Sequence, residues 1–407
     1  MRKIYVIICL FVFLGISYGQ TKNNFMLKAE LMYGSILQHT ERLKTLIQDP
    51  VVGCELAIEW QTMGEKEWHQ YLNFSKVGVG VVGLNLGNPA MLGNLYAVYP
   101  YLSFQVFNFN FVKFNIKGGA GASYLTKTFR NTATNLEVLN TGNAAIGSHL
   151  NVYFEGGGSL VVPIGKGWAA VADLQWNHAS NGSFYQPNSG LNMINTMAGI
   201  SYTPYYKHRY RPIWKHSKNV PNVFSMELIA SGGARQWYYK DTKLYPTGSF
   251  VAAVYHPVGN ALRLGVGIDA FYDGVYDGNH NSTWQRTYIF TDEIKNKMRI
   301  GITLRPELVA GKFTAGIHLG LYVLNPIKNL EPYDAAKLSA LNKPLIYPYN
   351  IEKEDGWFFS RASLHYALTE NVFLALGLKT HLQKAEFIEW GIGYRFQQKD
   401  KKLFDLQ

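Results

Sequence analysis

Between residues 262 and 272, Leu262, Leu264, Val266, Ile268, Ala270 and Tyr272 share one parity, while Arg263, Gly265, Gly267 and Asp269 share the other. A period of two marks a β-strand, because successive side chains along a strand point to opposite faces. Met298, Ile300, Ile302, Leu304 and Leu308 alternate in the same way with Arg299, Gly301, Thr303, Arg305 and Glu307. Near the end of the chain, Ile388, Trp390, Ile392, Tyr394 and Phe396 oppose Glu389, Gly391, Gly393 and Arg395. In water each apolar face would need a covering sheet. In lipid it needs none, and alternating segments of about ten residues separated by turn residues are the pattern of a transmembrane barrel.

The same reading yields about sixteen segments, near 25–35, 50–61, 76–86, 94–107, 111–124, 148–163, 167–180, 193–204, 222–236, 246–257, 260–272, 297–309, 312–324, 356–368, 371–382 and 385–396. The expected fold is therefore all-β, an antiparallel transmembrane β-barrel of about sixteen strands. The alternative is an eight-stranded barrel followed by a second β-barrel or β-domain. With the N-terminus periplasmic, the short links at 165–167, 257–259, 310–312 and 369–371 fall on the periplasmic side. The long connections, near 125–147, 273–296 and 325–355, then fall outside, which is the usual asymmetry of these barrels. Residues 205–221 break the rhythm with Lys207, His208, Arg209, Arg211, Lys215, His216 and Lys218. They read as a solvated basic linker joining halves 20–204 and 222–397, with a lipid-phosphate site as the sharper alternative. The last strand ends in Phe396, as in chains handled by the barrel assembly machinery, and a polar tail (398–407) follows it.

Residues 1–19 carry Arg2 and Lys3, an apolar run over 4–16, and Ser17-Tyr18-Gly19, the layout of a cleaved export signal. That run is shorter than the roughly 20 residues a membrane-spanning helix needs. Composition agrees with strands in lipid: 39 glycines, 14% aromatic and only 16% charged residues. The net charge of +11 suits the phosphates of lipopolysaccharide or another anionic lipid better than nucleic acid, given export to the cell outer membrane of a Gram-negative bacterium. Once Cys9 leaves with the signal, Cys54 stands alone, so no intramolecular disulfide forms, and its thiol is expected to be a small packed side chain.

Candidate chemistry concentrates in Trp176-Asn177-His178-Ala179-Ser180-Asn181-Gly182 and Gln186-Pro187-Asn188-Ser189-Gly190-Leu191-Asn192. Ala170, Ala172, Leu174, Trp176, His178 and Ser180 share the apolar, lipid-facing parity, whereas Asp173, Gln175 and Asn177 point inward. Two polar groups therefore follow Trp176, a residue type favoured at the membrane interface. Residues two apart on a strand project side by side, so the imidazole can reach the hydroxyl and take its proton, the usual activation of a serine nucleophile. The Asn181 side chain and the backbone N–H of Asn181 or Gly182 are candidate oxyanion donors. On spacing alone, the same residues also read as ordinary polar strand-end groups leading into a turn.

The run His178-x-Ser180-Asn181-Gly182, followed by Pro187-Asn188-x-Gly190-Leu191-Asn192, resembles the active-site segment of the PagL family of outer-membrane lipid A 3-O-deacylases. The resemblance extends over about residues 25–204. It implies His178 as general base, Ser180 as nucleophile and Asn181 as an oxyanion donor, with Trp176, Pro187 and Asn188 as substrate contacts. The substrate it implies is lipid A or a related outer-leaflet lipid, with no cofactor and no metal. The family's acidic member falls at or near Asn192, an amide in this sequence. Asparagine orients a histidine but does not neutralise its charge. Asp173 is no substitute, because its parity is inward.

Nothing in the second half repeats this motif. His318 and His381 fall on inward parities. Asp273, Asp277, His280 and Asn281 read either as a cation-binding set or, more plainly, as a polar turn loop. No phosphate loop, dinucleotide fingerprint, CxxC or HExxH occurs. Two functions follow: an esterase acting on lipid A or a similar lipid, or a non-enzymatic barrel that is a pore, receptor or adhesin. Lumen-facing Arg263, Asp269, Arg299, Arg305 and Glu307 fit either a solvated channel or a salt-bridged interior.

Overall fold

A computed structural model describes residues 24–109, 111–206, 223–241, 243–276, 293–326, 346, 348, 356–381 and 384–397. Its sixteen strands lie where the alternation puts them. The first eight are β1 (Phe25–Ile36), β2 (Val51–Gln61), β3 (Lys76–Asn85), β4 (Asn94–Phe109), β5 (Val112–Leu125), β6 (Leu150–Gly165), β7 (Trp168–Ser180) and β8 (Leu191–Tyr202). The second eight are β9 (Ser225–Gln236), β10 (Leu244–Val258), β11 (Leu262–Asp273), β12 (Met298–Ala310), β13 (Phe313–Leu324), β14 (Phe358–Ala367), β15 (Val372–His381) and β16 (Lys384–Gln397). The expected export signal (1–19), most of the basic linker, the polar tail, Asp277, His280 and Asn281 lie outside the described residues.

The strands close twice rather than once. β8 pairs back with β1 (Leu27 opposite Tyr202, Ile36 opposite Met193), and β16 pairs back with β9 (Glu389 opposite Gly233). The result is two antiparallel eight-stranded barrels in two compact units, so the single sixteen-stranded ring gives way to the alternative of two barrels. The reason lies in the lumens. An eight-stranded barrel is just wide enough for its side chains to fill, whereas a sixteen-stranded one encloses water. In β3 the inward positions Gly78 and Gly80 make room for the rings of Tyr101 and Tyr99 on β4, which would lie 2.3 and 2.7 Å from an added Cβ. Large rings over glycine fill a narrow lumen.

Charge fills the rest. In the first barrel Lys117 bridges Glu55 (2.9 Å) and Glu155 (2.7 Å), and Lys28 bridges Glu30 (2.6 Å) and Asp173 (2.7 Å). In the second, Arg305 meets Asp269 (3.0 Å), Arg361 meets Glu389 (2.7 Å), and Arg299 meets both Asp273 (3.0 Å) and Glu386 (2.6 Å). Asp273 is thereby an interior counter-ion rather than part of a loop cation site. His318 and His381 are buried among these groups, as their parities predict.

Outside, the apolar parity stays exposed: Leu31, Leu56, Val81 and Leu174 on the first barrel, Val266, Ile268, Ile317 and Ile392 on the second. Such faces suit lipid and not water. No described helix is long and apolar enough to cross a membrane. Cys54 belongs to this outer face. It is exposed beside Val52 and Leu56 and is not packed as expected, because a residue of outward parity has only lipid to pack against. Closely filled lumens leave ions no path, so the purified protein in planar bilayers is expected to show no stepwise conductance. A steady open level would mean that these salt-bridged interiors part to form a channel.

Candidate active site

β7 carries the segment that the sequence singles out. Ala172, Leu174 and Trp176 face outward and are exposed, Asp173, Gln175 and Asn177 are buried inward, and His178 and Ser180 continue the outward row. Both are nevertheless sheltered, His178 half-buried and Ser180 buried. Trp176 stacks on the imidazole with centroids 5.8 Å apart and an interplanar angle of 17°, while Phe154 of β6, opposite His178 in register, approaches within 6.2 Å. The two rings exclude water from a polar pair at the rim of an apolar wall.

The pair is joined. His178 Nε2 lies 2.9 Å from Ser180 Oγ, and His178 Nδ1 lies 2.7 Å from Oδ1 of Asn192, its register partner on β8. Because Asn192 Oδ1 accepts only, Nδ1 carries the ring proton in the neutral imidazole, and Nε2 presents its lone pair to the serine hydroxyl. Ser180, His178 and Asn192 therefore form a continuous chain of hydrogen bonds in the order that nucleophile, base and orienting group require. Asp173 takes no part. It points into the lumen and bonds to Lys28 Nζ at 2.7 Å.

The loop after β7 supplies the rest. Gly190 has φ of +77°, and a Cβ there would come within 3.1 Å of His178 Cε1, so this close approach needs glycine. Asn181 is buried, but its donors are engaged: Nδ2 donates to Ser148 Oγ and to the Tyr185 carbonyl, both at 2.9 Å, and its backbone N–H donates to Asn188 Oδ1 at 3.1 Å. Gly182 is buried, with φ of +60°. Asn188 instead keeps its Nδ2 buried with no hydrogen-bond partner among the described residues. An orphaned buried donor one hydrogen bond from the residue after Ser180 is a signal of function. Pro187 is buried, its carbonyl 2.9 Å from where a Cβ on Gly147 would stand, so it shapes the loop from within.

Sequence reasoning missed His39. It lies in the loop after β1, and its Nδ1 is 3.3 Å from Asn192 Nδ2. No local pattern marks it, because its partner is distant along the chain and meets it only where β1 and β8 close the barrel.

Family models match both barrels. Residues 52–201 match the family "Lipid A 3-O-deacylase (PagL)", and residues 224–334 with 345–398 match "Acyloxyacyl hydrolase, C-terminal domain" (PagL_C), together most of the chain. The chain belongs to the PagL family. The PagL match spans β2 to β8 and includes His178, Ser180 and Asn192, while the C-terminal match covers the second barrel. Among solved structures the chain is similar to the outer membrane enzyme PagL, at 16% identity and a TM-score of 0.28 over 42% of this chain and 97% of that one. It is also similar to Neisserial surface protein A, at 9% identity and a TM-score of 0.31 over 44% of this chain and 96% of that one. No curated protein matches the chain.

Proposed function

We propose that this protein is an outer-membrane esterase that removes an ester-linked acyl chain from lipid A or a related outer-leaflet lipid, with Ser180 as nucleophile and His178 as base. The observation that carries the reading is the hydrogen-bonded run Ser180–His178–Asn192 on the outward face of β7, where an acyl chain in the membrane has direct access. Membership of the PagL family supports the substrate class.

In the forward half-reaction, Ser180 Oγ attacks the ester carbonyl as its proton passes to His178 Nε2. Charge then develops on the carbonyl oxygen, and donors aimed at that oxygen stabilise it. Asn188 Nδ2 is the buried side-chain donor of this loop that has no partner among the described residues, whereas the Asn181 carboxamide braces the loop. Asn192 Oδ1 holds the imidazolium by its Nδ1–H. The tetrahedral species collapses when the C–O bond to the sugar breaks and His178 Nε2 returns the proton to the leaving alkoxide. A water, deprotonated by the same nitrogen, then cleaves acyl-Ser180 and releases the fatty acid. The binding surface for the acyl chain is the exposed wall that includes Trp176, with chain delivery by export and the barrel assembly machinery.

The test is mass spectrometry of lipid A from a host without its own deacylases. Expression of the protein is expected to remove one ester-linked acyl chain. Unchanged lipid A, with the barrel folded in the outer membrane, would overturn the reading.

A further inference from the structure

An amide in place of a carboxylate creates a specific problem. A carboxylate offers an acceptor oxygen whichever way its plane turns, but the Asn192 carboxamide has two different ends. With Oδ1 toward His178, the ring proton stays on Nδ1 and Nε2 is free to act as base. With the amide flipped, Nδ2 donates to Nδ1, the proton moves to Nε2, and the imidazole can no longer take the serine proton. Something must choose the end.

We infer that His39 makes that choice, acting as a positioning residue that holds Asn192 with Oδ1 toward His178. This inference rests on the esterase reading of the same site. Two carbonyls, which only accept, flank the His39 ring, Ser189 at 2.9 Å from Nε2 and Leu37 at 3.1 Å from Nδ1, and the proton of the neutral ring is assigned to Nε2, where the contact is shorter. Nδ1 is then the acceptor, and Asn192 Nδ2, 3.3 Å away, is the donor that meets it. In this tautomer the Leu37 carbonyl, 3.1 Å from the same Nδ1, receives no proton. The flipped amide would set Oδ1 against that lone pair. The hydrogen-bond directions then run in one sense: Ser180 hydroxyl to His178, His178 to Asn192, Asn192 to His39, His39 to the Ser189 carbonyl. Each bond polarises the next, so the accepting end of Asn192 becomes a better partner for the imidazolium.

The placement is built into the fold. Leu37 N–H donates to the Asn192 carbonyl at 2.8 Å, extending the β1–β8 ladder by one residue and setting His39 beside that side chain. Ser189 and Gly190 precede β8, so the carbonyl that anchors His39 Nε2 comes from the segment whose Gly190 abuts His178.

Two measurements test this on the full-length protein. In micelles of purified lipopolysaccharide, His39→Ala is expected to lower kcat by about 10- to 100-fold with little change in KM, the scale of a misplaced catalytic group. Adding Asn192→Asp to that variant is expected to restore most of the loss, because a carboxylate needs no partner to choose its end. An unchanged kcat for His39→Ala, or no rescue by the second substitution, would overturn the inference, and a mere loop defect predicts no rescue. Nitrogen-15 chemical shifts of the His178 ring read the tautomer without turnover. The wild type should carry its proton on Nδ1, and His39→Ala should shift population to the Nε2–H form. The same tautomer in both would overturn the inference even if the esterase reading fails, whereas loss of the esterase reading alone shows as absent deacylation by wild type.

Discussion

Ser180→Ala is expected to abolish deacylation, by about 10⁴- to 10⁶-fold in kcat, the scale on which removal of an activated serine acts in hydrolases of this logic. In the proposed mechanism the hydroxyl forms the covalent bond to the acyl carbon, and no other described side chain hydrogen-bonds to His178 Nε2 in its place. His178→Ala is expected to cost a similar factor, and the double variant no more than either single one. Nucleophile and base act as a unit, so losing one makes the other idle. Initial rates of fatty acid release measure this, and the heat-dependent gel shift of a folded barrel shows that each variant assembles. A Ser180→Ala protein retaining more than about a hundredth of the wild-type rate would assign the chemistry to another group.

The second large effect lies in the lumen. Lys117 is buried between Glu55 and Glu155, with 2.9 and 2.7 Å contacts, and Tyr99 Oη lies 3.2 Å from its Nζ. Replacing it by methionine keeps much of the volume but leaves two carboxylates facing each other in a packed interior. Removing one partner of a buried ion pair destabilises a protein by about 3–5 kcal/mol, because the remaining charge has lost its compensation. Lys117→Met is expected to fall in that range by urea unfolding in lipid vesicles. Adding Glu55→Gln and Glu155→Gln should recover most of the loss, since both uncompensated charges are then gone. A single variant within about 1 kcal/mol of wild type would mean that water reaches the lumen and screens the pair.

The strands were legible because their cause is local. A period of two over ten or more residues leaves no helical alternative, and it placed β7 with His178 outward and Asp173 inward. The motif in the following loop was equally legible, and the hydrogen bonds that link His178 with Ser180 and with Asn192 join residues it named. Which donors of that loop stay free was less so. Sequence reasoning favoured the Asn181 side chain with the backbone N–H of Asn181 or Gly182, but the Asn181 side chain spends its donors on Ser148 and Tyr185, and in this loop the buried side-chain donor without a partner among the described residues belongs to Asn188. Which of two asparagines is engaged depends on loop packing that no spacing encodes.

The sequence by itself determined about sixteen strands, the inward or outward faces along β7, β11, β12 and β16, and the placement of a serine and histidine on the outer wall of β7. Only the tertiary structure decided that the strands form two rings, because ring closure is a choice of hydrogen-bond partner between strands far apart in the chain, β8 with β1 and β16 with β9. The same closure brings His39 to Asn192, 153 residues away, so the group that orients the orienting amide exists only once the first barrel has shut.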